Sequence, residues 1–322
     1  MPAHNATMGI SPYLKEIGRG AQGARALSRE QAADLLGQVL DGQCTDLEVG
    51  AFCVAMRIKG ETPDEMAGFL DATEARLARL PASDAPVVVL PSYNGARKLP
   101  VLTPLLALLL ARQGLPVLVH GMPTEDSRVP SADVLAALNI GPRLPTERIA
   151  RGSVHFVPTG ALHAGLQRLL DVRRAIGLRN SAHALVKLMN PVAGPALVVS
   201  SYTHPEYAES MAATLRLTGT PALLLRGTEG EPVADARRTP RMQLLLGGDM
   251  REVQPAQPGA LATLPVLPPT TDAAATADYI RAVLQGAVAP PEPIVCQVDY
   301  IVQACRAIPA AGASFLPPTV AA

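Results

Sequence analysis

The sequence predicts an α/β fold in two parts: a small all-helical domain and a larger domain built on a mainly parallel central sheet. Three observations support this: capped amphipathic segments over residues 10–80, a change of hydrophobic period after Pro81, and strand–helix–strand alternation beyond it. Ser28 and Gln31 form a capping-box pattern ahead of Leu35, Leu36, Val39 and Leu40 on one helical face, and Gly42 ends that helix. Thr45 and Glu48 repeat the box before Phe52, Ala55, Met56 and Ile58. Thr62, Pro63 and Glu65 give a third start, with a cap, a proline at the first helical position and an acid in the first turn.

Beyond Pro81, residues 87–90 and 116–121 read as short buried strands flanking an apolar helix over Thr103–Arg112. A strand over 196–200, a helix over 205–217 and a strand over 221–225 repeat the unit. Strands joined by helical crossovers pair in parallel, because a crossover is what parallel pairing requires. Residues 160–187 are helical in pattern. The tail beyond Leu261 is rich in Pro and Ala, with one helix expected over 274–284.

The chain has 322 residues, 48% of them hydrophobic, enough for two modest domains and a buried core. Aromatics make up 3% with no Trp, which argues against a surface built to stack bases. Formal net charge is zero, so no global field directs the protein to nucleic acid or membrane. Charge is nevertheless uneven. The first ninety residues lean acidic, whereas Arg143, Arg148, Arg151, Arg168, Arg173, Arg174, Arg179 and Lys187 face only Glu147 and Asp171. Cys44, Cys53, Cys296 and Cys305 lack metal-ligand spacing and read as reduced thiols of a cytoplasmic protein. Pro2, His4 and Asn5 open no targeting signal, and the most apolar run, 101–111, is too short to span a bilayer.

Several runs resemble a known family. Leu27-Ser28-Arg29-Glu30-Gln31-Ala32, Leu40-Asp41-Gly42, Gly50-Ala51-Phe52 and, above all, the stretch from Arg57 to Gly68 (RIKGETPDEMAG) resemble the N-terminal helices of anthranilate phosphoribosyltransferase. Val119-His120-Gly121, Val154-His155-Phe156-Val157-Pro158, His163 and the segment from Arg173 to Pro191 keep the order of that family. The resemblance implies that residues 160–190 return to pack on the 1–80 domain, while 81–159 and 191–322 build the α/β domain. It implies a homodimer through the N-terminal helices. For the enzymes it implies phosphoribosyl pyrophosphate and magnesium in the cleft between domains.

At the places that matter for transfer, the sequence departs from the family. A Gly-Thr-Gly-Gly-Asp loop cradles pyrophosphate there, because glycines let backbone N–H groups approach the oxygens. Here the matching run is Ser92-Tyr93-Asn94-Gly95-Ala96-Arg97-Lys98, in which only Gly95 suits that role and Tyr93 and Arg97 are expected to crowd the loop. The family's Asn-x-Ser-Thr run leaves only Thr103, and its Lys-His-Gly-Asn run becomes Val119-His120-Gly121-Met122. The acidic pair that holds magnesium becomes Gly230-Glu231, so Glu231 is a weak metal candidate and no cofactor is expected.

Basic side chains take the place of these motifs. Asn94, Gly95, Arg97 and Lys98 form a basic turn, and Arg173, Arg174, Arg179, Lys187, Arg226, Arg237, Arg238 and Arg241 add cations. With Thr103 and His120 they make the candidate phosphate-binding set, although His120 reads more readily as a structural histidine at a strand end. The Ser92–Lys98 run resembles the YbiB-type subfamily of TrpD-like proteins, which implies binding of DNA or RNA through the phosphate backbone without base readout. The alternatives are a glycosyltransferase acting on another substrate and a protein-interaction role for the dimer surface.

Overall fold

The computed structural model describes residues 9–20, 22–259 and 264–309; Pro2, His4 and Asn5, where a targeting signal would begin, lie outside them. Four helices open the chain: α1 (Ser11–Ile17), α2 (Arg29–Leu40), α3 (Asp46–Lys59) and α4 (Pro63–Glu74). All three capping boxes form, with Ser28, Thr45 and Thr62 accepting from the backbone three residues on while Gln31, Glu48 and Glu65 return the bond. Phe52 of α3 meets Phe69 of α4 edge to face, ring centroids 5.9 Å apart, at the centre of this bundle.

The alternating region follows as β1 (Val87–Ser92), α5 (Thr103–Arg112), β2 (Val117–Gly121), α6 (Ser131–Ala137) and β3 (Val154–Pro158). Three helices come next: α7 (Thr159–Leu162), α8 (Ala164–Ile176) and α9 (Ala182–Leu185). They touch the first bundle, α8 against α2 and α9 against α4, and Ser181 donates to Glu61 at 2.5 Å. The chain then re-enters the sheet with β4 (Ala196–Tyr202), α10 (Pro205–Thr218), β5 (Ala222–Arg226), β6 (Met242–Leu246) and β7 (Asp249–Gln254). It closes with α11 (Ala273–Leu284) and α12 (Glu292–Ala307).

The strand order is β3-β2-β1-β4-β5-β6-β7. The first five strands pair in parallel, and β6 and β7 add an antiparallel edge. Alternation along each strand divides the apolar residues between two cores. Val87, Val89, Leu118 and Val198 face α10 and the helical bundle, while Val88, Leu90, Val119 and Leu197 face α5, α11 and α12. A single helix was expected in the tail, and the structure adds α12. Its Pro-rich start marks a helix N-terminus rather than a loop, and Ile294, Val298, Ile301 and Cys305 repeat at helical spacing into the second core.

Candidate anion-binding crevice

Strands β1, β2, β4 and β5 end on one side of the sheet, at Ser92, Gly121, Tyr202 and Arg226. The strand order reverses between β1 and β4, which opens a crevice beyond their carboxyl ends, where open α/β sheets bind ligands. Three segments line it: the loop after β1, the loop after β2, and the turn after β5 at residues 228–231.

The loop after β1 wraps around carboxylates from that turn. Glu231 is buried, and its carboxylate accepts from the backbone N–H groups of Asn94 (2.7 Å) and Gly95 (2.8 Å). It also accepts from the hydroxyls of Ser92 (2.5 Å) and Thr103 (2.9 Å). Glu229 accepts from the N–H groups of Arg97 (2.6 Å) and Lys98 (3.0 Å). Gly95 sits at φ +71, and a Cβ there would lie 2.6 Å from the Val129 carbonyl oxygen, so glycine permits the close turn. Tyr93 does not crowd the loop. Its side chain is buried, with its hydroxyl 2.9 Å from His120 Nδ1 and accepting from Thr159 at 3.1 Å.

Behind the turn, Lys187 is buried and donates to the Gly230 carbonyl at 2.8 Å; burial pulls its ammonium down to about 8 against the attraction of Glu231. Beside it, three guanidiniums share one carboxylate. Arg128 donates to Glu125 at 2.6 Å, Arg173 makes a short bond to the same group, and Arg179 reaches it at 3.4 Å. Burial works to raise Glu125, yet the hydrogen bonds from Arg173 and Arg128 outweigh it and hold the carboxyl at about 2. One buried Nη1 of Arg128 and one of Arg173 have no partner among the described residues. Burial, and then Arg173, disfavour the charge on Arg179.

Residues 11–76 match a family model described as the helical bundle domain of a glycosyl transferase family. The uncharacterized protein YbiB of Escherichia coli K12 is 40% identical over 298 residues, covering 90% of this chain and 92% of its own length. The chain belongs to the TrpD family of glycosyltransferases, as a YbiB-like member. An anthranilate phosphoribosyltransferase of Nocardioides sp. is 30% identical over 267 residues, covering 81% of this chain and 78% of that one. The crystal structure of anthranilate phosphoribosyltransferase from Thermus thermophilus shares the fold, with a TM-score of 0.71 at 24% identity over 93% of this chain and 89% of that one.

The TrpD enzymes imply magnesium and phosphoribosyl pyrophosphate, and the crevice in this arrangement fits neither. Glu231, the metal candidate, has its lone pairs engaged by N–H and O–H donors, and no three His, Cys, Asp or Glu gather around a metal position among the described residues. The N–H groups that would meet pyrophosphate already hold Glu229 and Glu231.

The other predicted site residues divide by burial and pairing. Asn94, Gly95 and Thr103 lie at the site, but they are buried and donate to Glu231 and, through the Asn94 amide, to the Glu229 carbonyl. His120 is excluded as a phosphate contact, because it is fully buried and burial holds its imidazole near 3, in the neutral form. Lys187 is spent on the turn. Arg174 pairs with Asp126 and Asp171, Arg237 with Asp235 and Arg241 with Glu252, and Arg238 donates to the Gly259 carbonyl at 2.7 Å. Those four are neutralised or tied down locally: Asp171 and Asp235 are near neighbours in sequence, whereas Asp126, Glu252 and Gly259 are brought up by the fold. Arg97, Lys98 and Arg226 form no ion pair among the described residues, and all three are exposed. Sequence reasoning missed Glu125, Arg128 and Glu229. Glu125 and Arg128 were visible only as a local acid–base pair three residues apart, and Glu229 only as an acid next to Gly230-Glu231.

Proposed function

We propose that this crevice binds the phosphate backbone of DNA or RNA without reading base sequence. The observation that supports this reading is the set of three guanidiniums, Arg128, Arg173 and Arg179, that converge on the single carboxylate of Glu125 and leave buried N–H groups unpartnered. Three guanidiniums against one carboxylate leave a surplus of positive charge that a phosphodiester would offset, and the exposed Arg97, Lys98 and Arg226 form no ion pair among the described residues at the end of the sheet. The same occupied loop weighs against phosphoribosyl transfer as the activity of this member of the family.

The test is filter binding of single- and double-stranded DNA across a salt series. Wild-type affinity is expected to fall steeply with salt through counterion release. Arg97→Ala or Lys98→Ala should each weaken binding evenly across unrelated sequences and lower the salt slope by about 1. The double charge reversal Arg97→Glu/Lys98→Glu should abolish retention. Salt-insensitive binding, or full retention by the double reversal, would sink the proposal. A thermal stabilisation of the wild type by phosphoribosyl pyrophosphate with magnesium, accompanied by turnover, would favour the transferase reading instead.

We also propose that the helical domain pairs with a second copy of this chain, as in the arrangement implied by the family resemblance. Its outer face carries a groove of about 300 Å³ lined by Leu14, Ile17, Ala51, Val54 and Ile58, with Ile58 63% exposed and Leu47, on the same helix, 83% exposed. Sedimentation should show two chains for the wild type and one for Ile58→Asp. A wild-type monomer at high concentration would refute this pairing.

A further inference from the structure

Aromatic side chains are scarce in this chain, and most of those in the described residues are buried. The exception stands at the crevice end of the sheet. Tyr207 is 44% exposed, the one exposed Phe, Tyr or Trp among the described residues, and the one exposed histidine, His204, lies three positions before it. Their rings meet edge to face, with centroids 6.3 Å apart and planes at 60°. A single exposed ring on a surface is ordinary. Two that pair beside a charged crevice are a different matter.

Local sequence holds the pair there. Strand β4 ends at Tyr202, His204 is the N-cap of α10, Pro205 starts that helix and Tyr207 falls in its first turn. That first turn follows the carboxyl end of β4, where the crevice opens. Cations stand close by. Tyr202 pairs in register with Arg226 of β5, which is exposed and forms no ion pair among the described residues. One residue earlier on β4, the Ser201 carbonyl accepts from Lys187 at 3.4 Å, and the charges of Arg179 and Arg128 bear on that same ammonium. The guanidinium cluster therefore lies at the same end as the rings. Glu206 and Glu209 are exposed on α10, so the helix start offers ring surface rather than positive charge, and phosphates must follow the Arg226 side.

We propose that His204 and Tyr207 form a stacking platform for unpaired bases, which makes a single strand of DNA or RNA the preferred partner of the crevice. This rests on the phosphate-backbone reading above and adds which form of nucleic acid the crevice takes. In a duplex each base face is covered by its neighbours, so a surface ring gains a stacking partner only from an unpaired strand. Stacking tolerates every base, because each has a π-face, and so it adds affinity without adding sequence preference.

The experiment measures fluorescence anisotropy of labelled oligo(dT), oligo(rU), an abasic DNA strand and a dT·dA duplex with full-length wild type, Tyr207→Ala, Tyr207→Phe and His204→Ala across a salt series. The wild type should bind oligo(dT) or oligo(rU) more tightly than the duplex or the abasic strand at equal salt; the two homopolymers separate DNA from RNA. Tyr207→Ala should weaken binding of the unpaired strand about fivefold or more while its salt slope stays the same, because no phosphate contact is lost. The loss should be confined to strands that carry unpaired bases. Tyr207→Phe, which keeps the ring, should recover most of it, and His204→Ala should reproduce it in part. Wild-type affinity for oligo(dT) and oligo(rU) in both Tyr207→Ala and His204→Ala overturns the platform, as does an equal loss on the duplex and the abasic strand. If binding of all four probes stays salt-sensitive in that case, the phosphate-backbone reading stands and only the platform falls. Failure of the wild type to bind any of the four overturns both.

Discussion

Glu65→Ala is expected to lower the free energy of unfolding by about 3–5 kcal/mol, because it leaves a buried ammonium and two backbone donors without their acceptor. Glu65 is fully buried, and one of its oxygens accepts from the Leu27 N–H at 2.9 Å. The other accepts from the Thr62 N–H at 2.9 Å and from Lys59 Nζ at 2.6 Å. One carboxylate therefore ties the segment before α2, the C-terminus of α3 and the N-terminus of α4, and it completes the capping box that starts α4. The Lys59 side chain is itself only 9% exposed, so water cannot replace the lost partner at low cost. Equilibrium urea unfolding measures the effect. Replacing Lys59 and Glu65 together by methionine should recover part of the loss, since the unpaired charge is then gone. A drop of less than about 1 kcal/mol for Glu65→Ala would show that the pair contributes little and that the helical bundle stands on its apolar contacts alone.

Acid should destabilise the protein well above the range in which carboxylates protonate. His120 and His183 are both held near 3, against an ordinary 6.5. Burial is the cause for His120; for His183 burial comes first, followed by the positive charges of Arg179 and Arg173. In the unfolded chain each imidazole takes up its proton near 6.5, whereas in the folded protein it stays neutral down to about 3. Within that window the unfolded state binds more protons, so stability falls as pH falls, approaching about 1.4 kcal/mol per pH unit for each histidine. Urea unfolding at pH 7, 6 and 5 should show the decline steepening below 6.5. His120→Gln should remove up to about 1.4 kcal/mol per pH unit from the slope, the rest coming from His183 and from His155 and His163, which burial also lowers. Stability that stays level between pH 6.5 and 5 would contradict the neutral burial of both rings.

The helical starts at Ser28, Thr45 and Thr62, the change of period after Pro81 and the strand–helix alternation were legible in the sequence, because caps and periodicity act between residues a few positions apart. The TrpD resemblance was legible in the same way, in the contiguous run from Arg57 to Gly68. The tail yields only one of its two helices to this reading, because the second, α12, opens on Pro291 and Pro293 in a Pro- and Ala-rich stretch.

The site followed a different rule. Its basic residues were countable along the chain, but whether each charge is free depends on what folds against it. Arg241 meets Glu252, and Arg173 meets Glu125 from 48 positions away. Glu231 reaches Asn94 across 137 positions to fill a loop that read as an emptied cradle. Sequence alone determined the fold class, the helix starts and the family, because those rest on local patterns. Only the tertiary structure decided which anion the 94–98 loop holds and which guanidiniums lack partners, because charge pairing depends on distance in space and the sheet brings together segments far apart in the chain.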